Sequence, residues 1–203
     1  MATVNDIYAF LNDLAPVRYQ MDFDNAGFLV GYGSATVERV LLALDITDEV
    51  IAEAAELHAQ LIVSHHPLIF TPLRRATADD LTGRKVLALA RNGIAAVCMH
   101  TNLDIADGGV NDALAAALGL EDPGPLGDPE GLCRMGTLAS PMPLQEFAKH
   151  VCRALQANGV RYAGDSGPVR KVAVGGGACG DYEDAAIAAG CDVFVTSDLS
   201  YHQ

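Results

Sequence analysis

Three short apolar runs, VLLAL (40–44), LIV (61–63) and IAAVCM (94–99), alternate with alanine-rich stretches of helical spacing, and each run breaks off into a polar turn. Runs this short, without polar alternation, suit strands buried on both faces, as in parallel sheets covered by crossover helices. Thr47 can cap a helix in which Val50, Ile51, Ala54 and Leu57 share one face. A second helix falls near 82–91, and a third over 110–118 is closed by Gly119. Upstream, Thr3 caps a helix with Asp6 three residues on, and Ile7, Phe10, Leu11 and Leu14 follow at helical spacing before Pro16. The order predicts an α/β chain whose sheets are mainly parallel.

The stretch EDPGPLGDPEG (121–131) is dense in Pro, Gly and acid, and reads as a linker separating a first lobe, 1–120, from a second, 132–203. The second lobe predicts a strand near 135–138, a helix from Pro143 with Phe147, Val151 and Leu155 inward, a strand at 171–174, a helix over 182–189 and a strand at 193–195. RVLLALD from Arg39 and RKVAVGG from Arg170 open similar strand–helix–strand patterns, which duplication and convergent patterning explain equally well.

Acidic residues outnumber basic ones 26 to 13, leaving a net charge of −13. Nucleic acid is therefore not an expected partner, because binding it requires a gathered basic face. No apolar run approaches the ~20 residues that span a bilayer, and the opening MATVNDIYAF resembles no leader. Five scattered cysteines without a C-x-x-C pair suggest neither a disulfide framework nor a thiolate zinc site, so a cytoplasmic location is expected.

The polar turns carry the chemistry. Asp45 follows the first strand, Ser64-His65-His66 the second and His100-Thr101-Asn102-Leu103-Asp104 the third. Ligands bind at the carboxyl ends of strands in such sheets. Adjacent histidines within a strand would face opposite ways, but in a turn stiffened by Pro67 both imidazoles can converge. A divalent cation satisfies both, and a carboxylate such as Asp104 could bridge two cations. The expected metal ligands are thus His65, His66 and Asp104, and no residue is singled out as catalytic. His100 is open as a further ligand but reads first as a supporting or substrate-facing residue, Asp45 as a possible helix cap, and His58 and His150 as surface residues. Asp24-Asn25-Ala26-Gly27 reads as a turn. Gly175–Gly180 matches G-x-G-x-x-G, but a tight strand-to-helix turn explains the glycines without a dinucleotide.

Taken together, FDNAGFLVG (23–31), ALDIT (43–47), SHHPLIF (64–70), HTNLD (100–104), GVND (109–112) and TSDLSYH (196–202) resemble the GTP cyclohydrolase 1 type 2 homologue family, also called NIF-three-like. The resemblance implies two interlinked α/β lobes with a dinuclear metal cleft between them, and a hexameric ring of dimers. By motif it makes His65, His66 and Asp104 metal ligands. Phe23 stands where the family usually has tryptophan. The family pattern continues into a G-H-x-x-T-E segment that completes the site, whereas this sequence ends at Gln203. A chain of this length is therefore expected to hold metal weakly and to hydrolyse little.

The expected function is that of a metal-dependent hydrolase acting on a small, nucleotide-like substrate. In a full-length chain it would use two divalent ions per subunit, with zinc, iron, manganese and nickel not distinguished. The alternatives are a metal-binding regulatory or adaptor protein without turnover and, more distantly, a nicotinamide enzyme using the glycine-rich turn.

Overall fold

A computed structural model describes residues 1–164 and 167–202; Gln203, the last residue of the second lobe as read from sequence, lies outside them. The chain forms two compact units, Met1–Ala106 and Asp107–Gln203.

The first unit contains β1 (Ala2–Thr3), α1 (Val4–Leu14), β2 (Gly27–Val30), β3 (Thr36–Val37), β4 (Val40–Ala43), α2 (Asp48–Glu56), β5 (Leu61–Ser64), α3 (Leu81–Asn92), β6 (Ala95–Cys98) and α4 (Thr101–Ile105). Its main sheet has the order β2-β6-β5-β4, while β1 and β3 form a separate pair. Strands β4, β5 and β6 are parallel, and β2 runs antiparallel to β6. Alternate residues supply opposite faces, as strand geometry dictates. Leu61, Ala95 and Val97 pack with Val4, Ile7 and Leu11 of α1, whereas Ile62 and Ala96 pack with Ile51 and Ala54 of α2 and Leu89 of α3. The sheet is thus packed on both sides at β5 and β6. The run 40–44, expected to be buried, instead supplies the edge strand β4 and leaves Val40, Leu42 and Leu44 exposed on one face, where, among the described residues, no helix packs against it.

The helix starts follow their caps. Thr3 Oγ1 accepts from Asp6 N at 3.2 Å, and Asp6 Oδ2 accepts from Thr3 N at 2.8 Å, closing the reciprocal box. Thr47 accepts from Val50 N at 3.2 Å, and Asp80 accepts from Gly83 N at 2.6 Å at the start of α3.

The second unit contains α5 (Val110–Ala117), β7 (Glu121–Pro125), β8 (Arg134–Met142), α6 (Leu144–Ala154), β9 (Val169–Val174), α7 (Glu183–Ala188) and β10 (Val193–Val195). Its sheet order is β10-β9-β8-β7. Here the strands are mixed: only β9 and β10 are parallel, and the other two pairings are antiparallel. The core gathers Phe147 and Val151 of α6, Leu138 of β8, and Val169, Val172 and Val174 of β9. The Pro-rich stretch 121–131 contributes a strand, β7, in its first five residues. Its place at the sheet's edge explains this, since a proline there need not give up a ladder hydrogen bond.

The two strand–helix–strand patterns seen in the sequence have the same topology. In one, Val40 of β4 pairs with Leu61 of β5; in the other, Val172 of β9 pairs with Val193 of β10, the same sequence distance apart. Among the described residues, no helix is long and apolar enough to cross a membrane.

Candidate metal centre

The three parallel strands of the first unit end side by side, and the turns beyond them supply the site. Pairing continues past β5: His65 N donates to Ala43 O at 3.2 Å and His66 N to Leu44 O at 2.9 Å. Ser64 Oγ bonds His66 O at 2.9 Å, tightening the turn so that both imidazoles lie on one side, ring centroids 5.0 Å apart. On the next strand, His100 starts α4, and its ring centroid lies 5.2 Å from that of His65 and 5.7 Å from that of His66. One nitrogen from each of the three rings lies within 4.8 Å of the others.

Each ring is held through Nδ1. That of His65 meets Met99 O at 2.9 Å, that of His66 meets Asp45 Oδ1 at 2.8 Å, and that of His100 meets Asp24 Oδ1 at 2.8 Å. A carbonyl or carboxylate oxygen accepts, so Nδ1 carries a proton, and in the neutral ring Nε2 is the nitrogen that offers a lone pair. Metal-ligating histidines are oriented in this way, their second nitrogen donating to a carbonyl or carboxylate. The donor set therefore fits a divalent cation.

Two carboxylates stand in contrasting states. Asp24 has its side chain wholly out of solvent. Burial pushes its carboxyl up, but hydrogen bonds from Thr101, His100 and the Asn25 N–H outweigh this and hold it below the ordinary carboxylate range. Asp104 is buried on α4, with Oδ1 3.8 Å from His65 Nε2. Burial raises its pKa, and the nearby Asp24 charge adds to that while His65 and His100 oppose it. A buried acid beside three imidazoles is a place where a cation lowers the electrostatic cost. An open cavity of about 230 Å³ is lined by His65 together with Leu11, Leu14, Ala43, Val63 and Met99.

His65 and His66 are thus brought together, with Asp104 within reach of His65. The geometry adds His100, read from sequence as a supporting residue, to the group of possible ligands. Its position at the end of a strand, like that of the histidine pair, was the available signal. Asp45 serves His66 while Thr47 caps the following helix. Asp24 was read only as part of a turn. Its role depends on β2 lying beside β6, with Gly27 opposite Cys98, which brings the 24–26 turn up to His100. Of the histidines outside the motifs, His58 is exposed as expected, whereas His150 is half-buried with Nε2 2.8 Å from Leu118 O.

The glycine-rich turn is explained by its own packing. A β-carbon on Gly175 would sit 2.8 Å from both Cys133 Sγ and Cys179 Sγ, and Gly177 has φ +70°. Gly176 N donates to Asn111 Oδ1 at 2.7 Å, and Gly177 O accepts from Thr196 Oγ1 at 2.8 Å.

Fold and site define a two-unit α/β protein with a three-histidine group at the carboxyl ends of parallel strands, of the kind that can hold a metal ion. The chain belongs to the DUF34/NIF3 family (NGG1p interacting factor 3), matched over residues 2–203. It is 38% identical to a Clostridium perfringens protein named GTP cyclohydrolase 1 type 2 homolog, covering 98% of this chain and 78% of that one. A Streptomyces coelicolor protein of the same name is 40% identical, covering 100% of this chain and 74% of the relative. The crystal structure of a Bacillus cereus protein related to NIF3 matches with a TM-score of 0.92 at 27% identity, covering 100% of this chain and 84% of that one.

Proposed function

We propose that this protein binds divalent metal through His65, His66 and Asp104, with His100 directed at the same centre, and hydrolyses a small, nucleotide-like substrate. The observation that carries the reading is the set of three imidazoles, each anchored through Nδ1 and gathered to within 4.8 Å. When bound, the cation supplies Lewis-acid polarisation of the bond under attack. The residues of the chain do the rest. Met99 O, Asp45 and Asp24 hold the rings in one tautomer, and Asp104 contributes the negative charge that neutralises the cation. The apolar cavity lined in part by His65 can take an uncharged part of the substrate.

The name shared by the curated relatives, GTP cyclohydrolase 1 type 2 homolog, supports a nucleotide-like substrate. The family description, an interacting factor, supports a second reading, a metal-binding adaptor without turnover. By resemblance the working form is a cytoplasmic hexamer using two ions per subunit, which light scattering and elemental analysis would test.

The deciding experiment loads the protein with zinc or manganese, dialyses it, counts metal per chain and screens nucleotides for product. Near-stoichiometric metal, lost in His65→Ala, together with metal-dependent product supports the hydrolase. Bound metal without turnover across the screen favours the adaptor. Absence of retained metal at any loading overturns both.

A further inference from the structure

The second unit holds a pair of side chains that the metal centre does not use. Cys133 precedes β8 and Cys179 lies in the turn after β9; they are 0% and 2% exposed. The strand residues next to them are neighbours, since Arg134 pairs with Val174. The turn that follows, Gly175 to Cys179, brings the second thiol back beside the first. Both sulfurs lie 2.8 Å from the point where a β-carbon on Gly175 would sit. Only a residue without a side chain fits there.

Each thiol is positioned by its backbone. Asp128 accepts from Leu132 N at 2.6 Å and from Cys133 N at 3.2 Å. Cys179 N donates to Thr196 Oγ1 at 3.0 Å, and its thiol donates to Gly176 O, also at 3.0 Å. Among the described residues, the only group of three or more side chains that could hold a metal is the histidine group of the first unit.

We propose that Cys133 and Cys179 are a redox pair that closes to a disulfide under peroxide. One molecule of hydrogen peroxide oxidises the two thiols. The first sulfur attacks a peroxide oxygen, giving a sulfenic acid and water; the second sulfur then displaces the sulfenic oxygen as a second water, forming the S–S bond. Atoms and electrons balance as two thiols plus one peroxide giving one disulfide and two waters. The neighbouring Cys179 side chain and burial push the Cys133 thiol up, so little of it is thiolate and the oxidation is slow. Burial also restricts the oxidant to one as small and uncharged as peroxide, excluding the charged tripeptide disulfide of glutathione. The bond would tie the start of β8 to the turn that holds Thr196 and Ser197 through Gly177 O.

The test treats the full chain with millimolar hydrogen peroxide, then denatures, alkylates and digests it. The expected result is a Cys133–Cys179 cross-linked peptide that disappears on reduction, with Cys98 in no cross-link. In Cys133→Ala, Cys179 should become alkylatable after the same treatment, and Cys179→Ser with Cys133 as reporter gives the same answer should the first variant fold poorly. Full alkylation of both thiols after a treatment that oxidises the half-buried Cys152 overturns the proposal, as does a predominant pairing with any other cysteine.

Discussion

The Asp24 carboxylate and the His100 imidazole, 76 residues apart in sequence, meet at 2.8 Å through Oδ1 and Nδ1. The second oxygen of Asp24 accepts from Thr101 N at 3.1 Å and also from the Thr101 hydroxyl. One acid thus sets both the direction of the imidazole and the start of the helix that carries Asp104.

Asp24→Asn keeps the size of the side chain but removes its charge and replaces one of its two acceptor oxygens with an NH2 donor. Partners of metal-bound histidine change affinity by about 10- to 100-fold. We expect zinc affinity to fall within that range, measured by competition with a coloured chelator. Wild-type affinity in the variant would show that His100 needs no support from Asp24.

Asn102 is fully buried and does two jobs: Nδ2 donates to Ala15 O at 2.7 Å, and Oδ1 accepts from His100 N at 2.8 Å. Asn102→Ala leaves a buried carbonyl and the His100 amide without these partners. The expected loss of stability is about 1–3 kcal/mol, read from urea denaturation. A change below about 0.5 kcal/mol, the scale of an ordinary surface substitution, would contradict this account.

Asp6 gives a prediction about pH. Hydrogen bonds from the Thr3 backbone N–H, and then from its hydroxyl, hold the Asp6 carboxyl below its ordinary 3.8. A carboxylate whose pKa is lowered on folding stabilises the fold at pH values above its unfolded pKa, and that stability is lost as pH falls through the folded pKa. The melting-temperature difference between the wild type and Asp6→Ala should therefore be constant from neutral pH to about pH 5 and shrink below 3.8. A difference that grows on acidification would reverse the assignment.

Gly175→Ala forces a β-carbon against two sulfurs, and overpacking of this kind costs about 1–3 kcal/mol. In a Cys133→Ala background one of the three 2.8 Å contacts is gone while Cys179 Cβ and Sγ remain, so the same glycine substitution should cost measurably less. Equal costs in both backgrounds, by thermal or urea denaturation, would mean the thiols do not confine this position.

Strands β5 and β6 were legible because they are buried on both faces and therefore stand out as unbroken apolar runs; β4 showed the same pattern, although Val40, Leu42 and Leu44 are exposed at the sheet's edge. The helix starts at Thr3 and Thr47 were legible because a cap is a local hydrogen bond between residues three apart. His65 and His66 were visible as a pair at the end of a strand. What escaped was set by pairing partners distant in sequence. Only the turn 24–27 was legible and not the strand β2 that follows it, so the approach of Asp24 to His100 could not be seen. The antiparallel placement of β8 between β7 and β9 likewise depends on neighbours, not on local pattern. The sulfur pair was hidden for the same reason, since Cys133 and Cys179 meet only once Arg134 and Val174 are paired.

The prolines of β7 also have a consequence for how the molecule behaves in a crowded solution. An outermost strand ordinarily offers a row of amide hydrogens and carbonyls on which a strand from another molecule can grow, the first step towards fibrils. Pro123 and Pro125 offer no amide hydrogen, Asp122 turns the backbone into the left-handed region with φ 48°, and Glu121 and Asp122 hold exposed negative charge there. A foreign strand arriving at this border meets missing donors, a bend and like-charge repulsion from its own copy of the same residues. The border resists templating by its chemistry, with no covering element required.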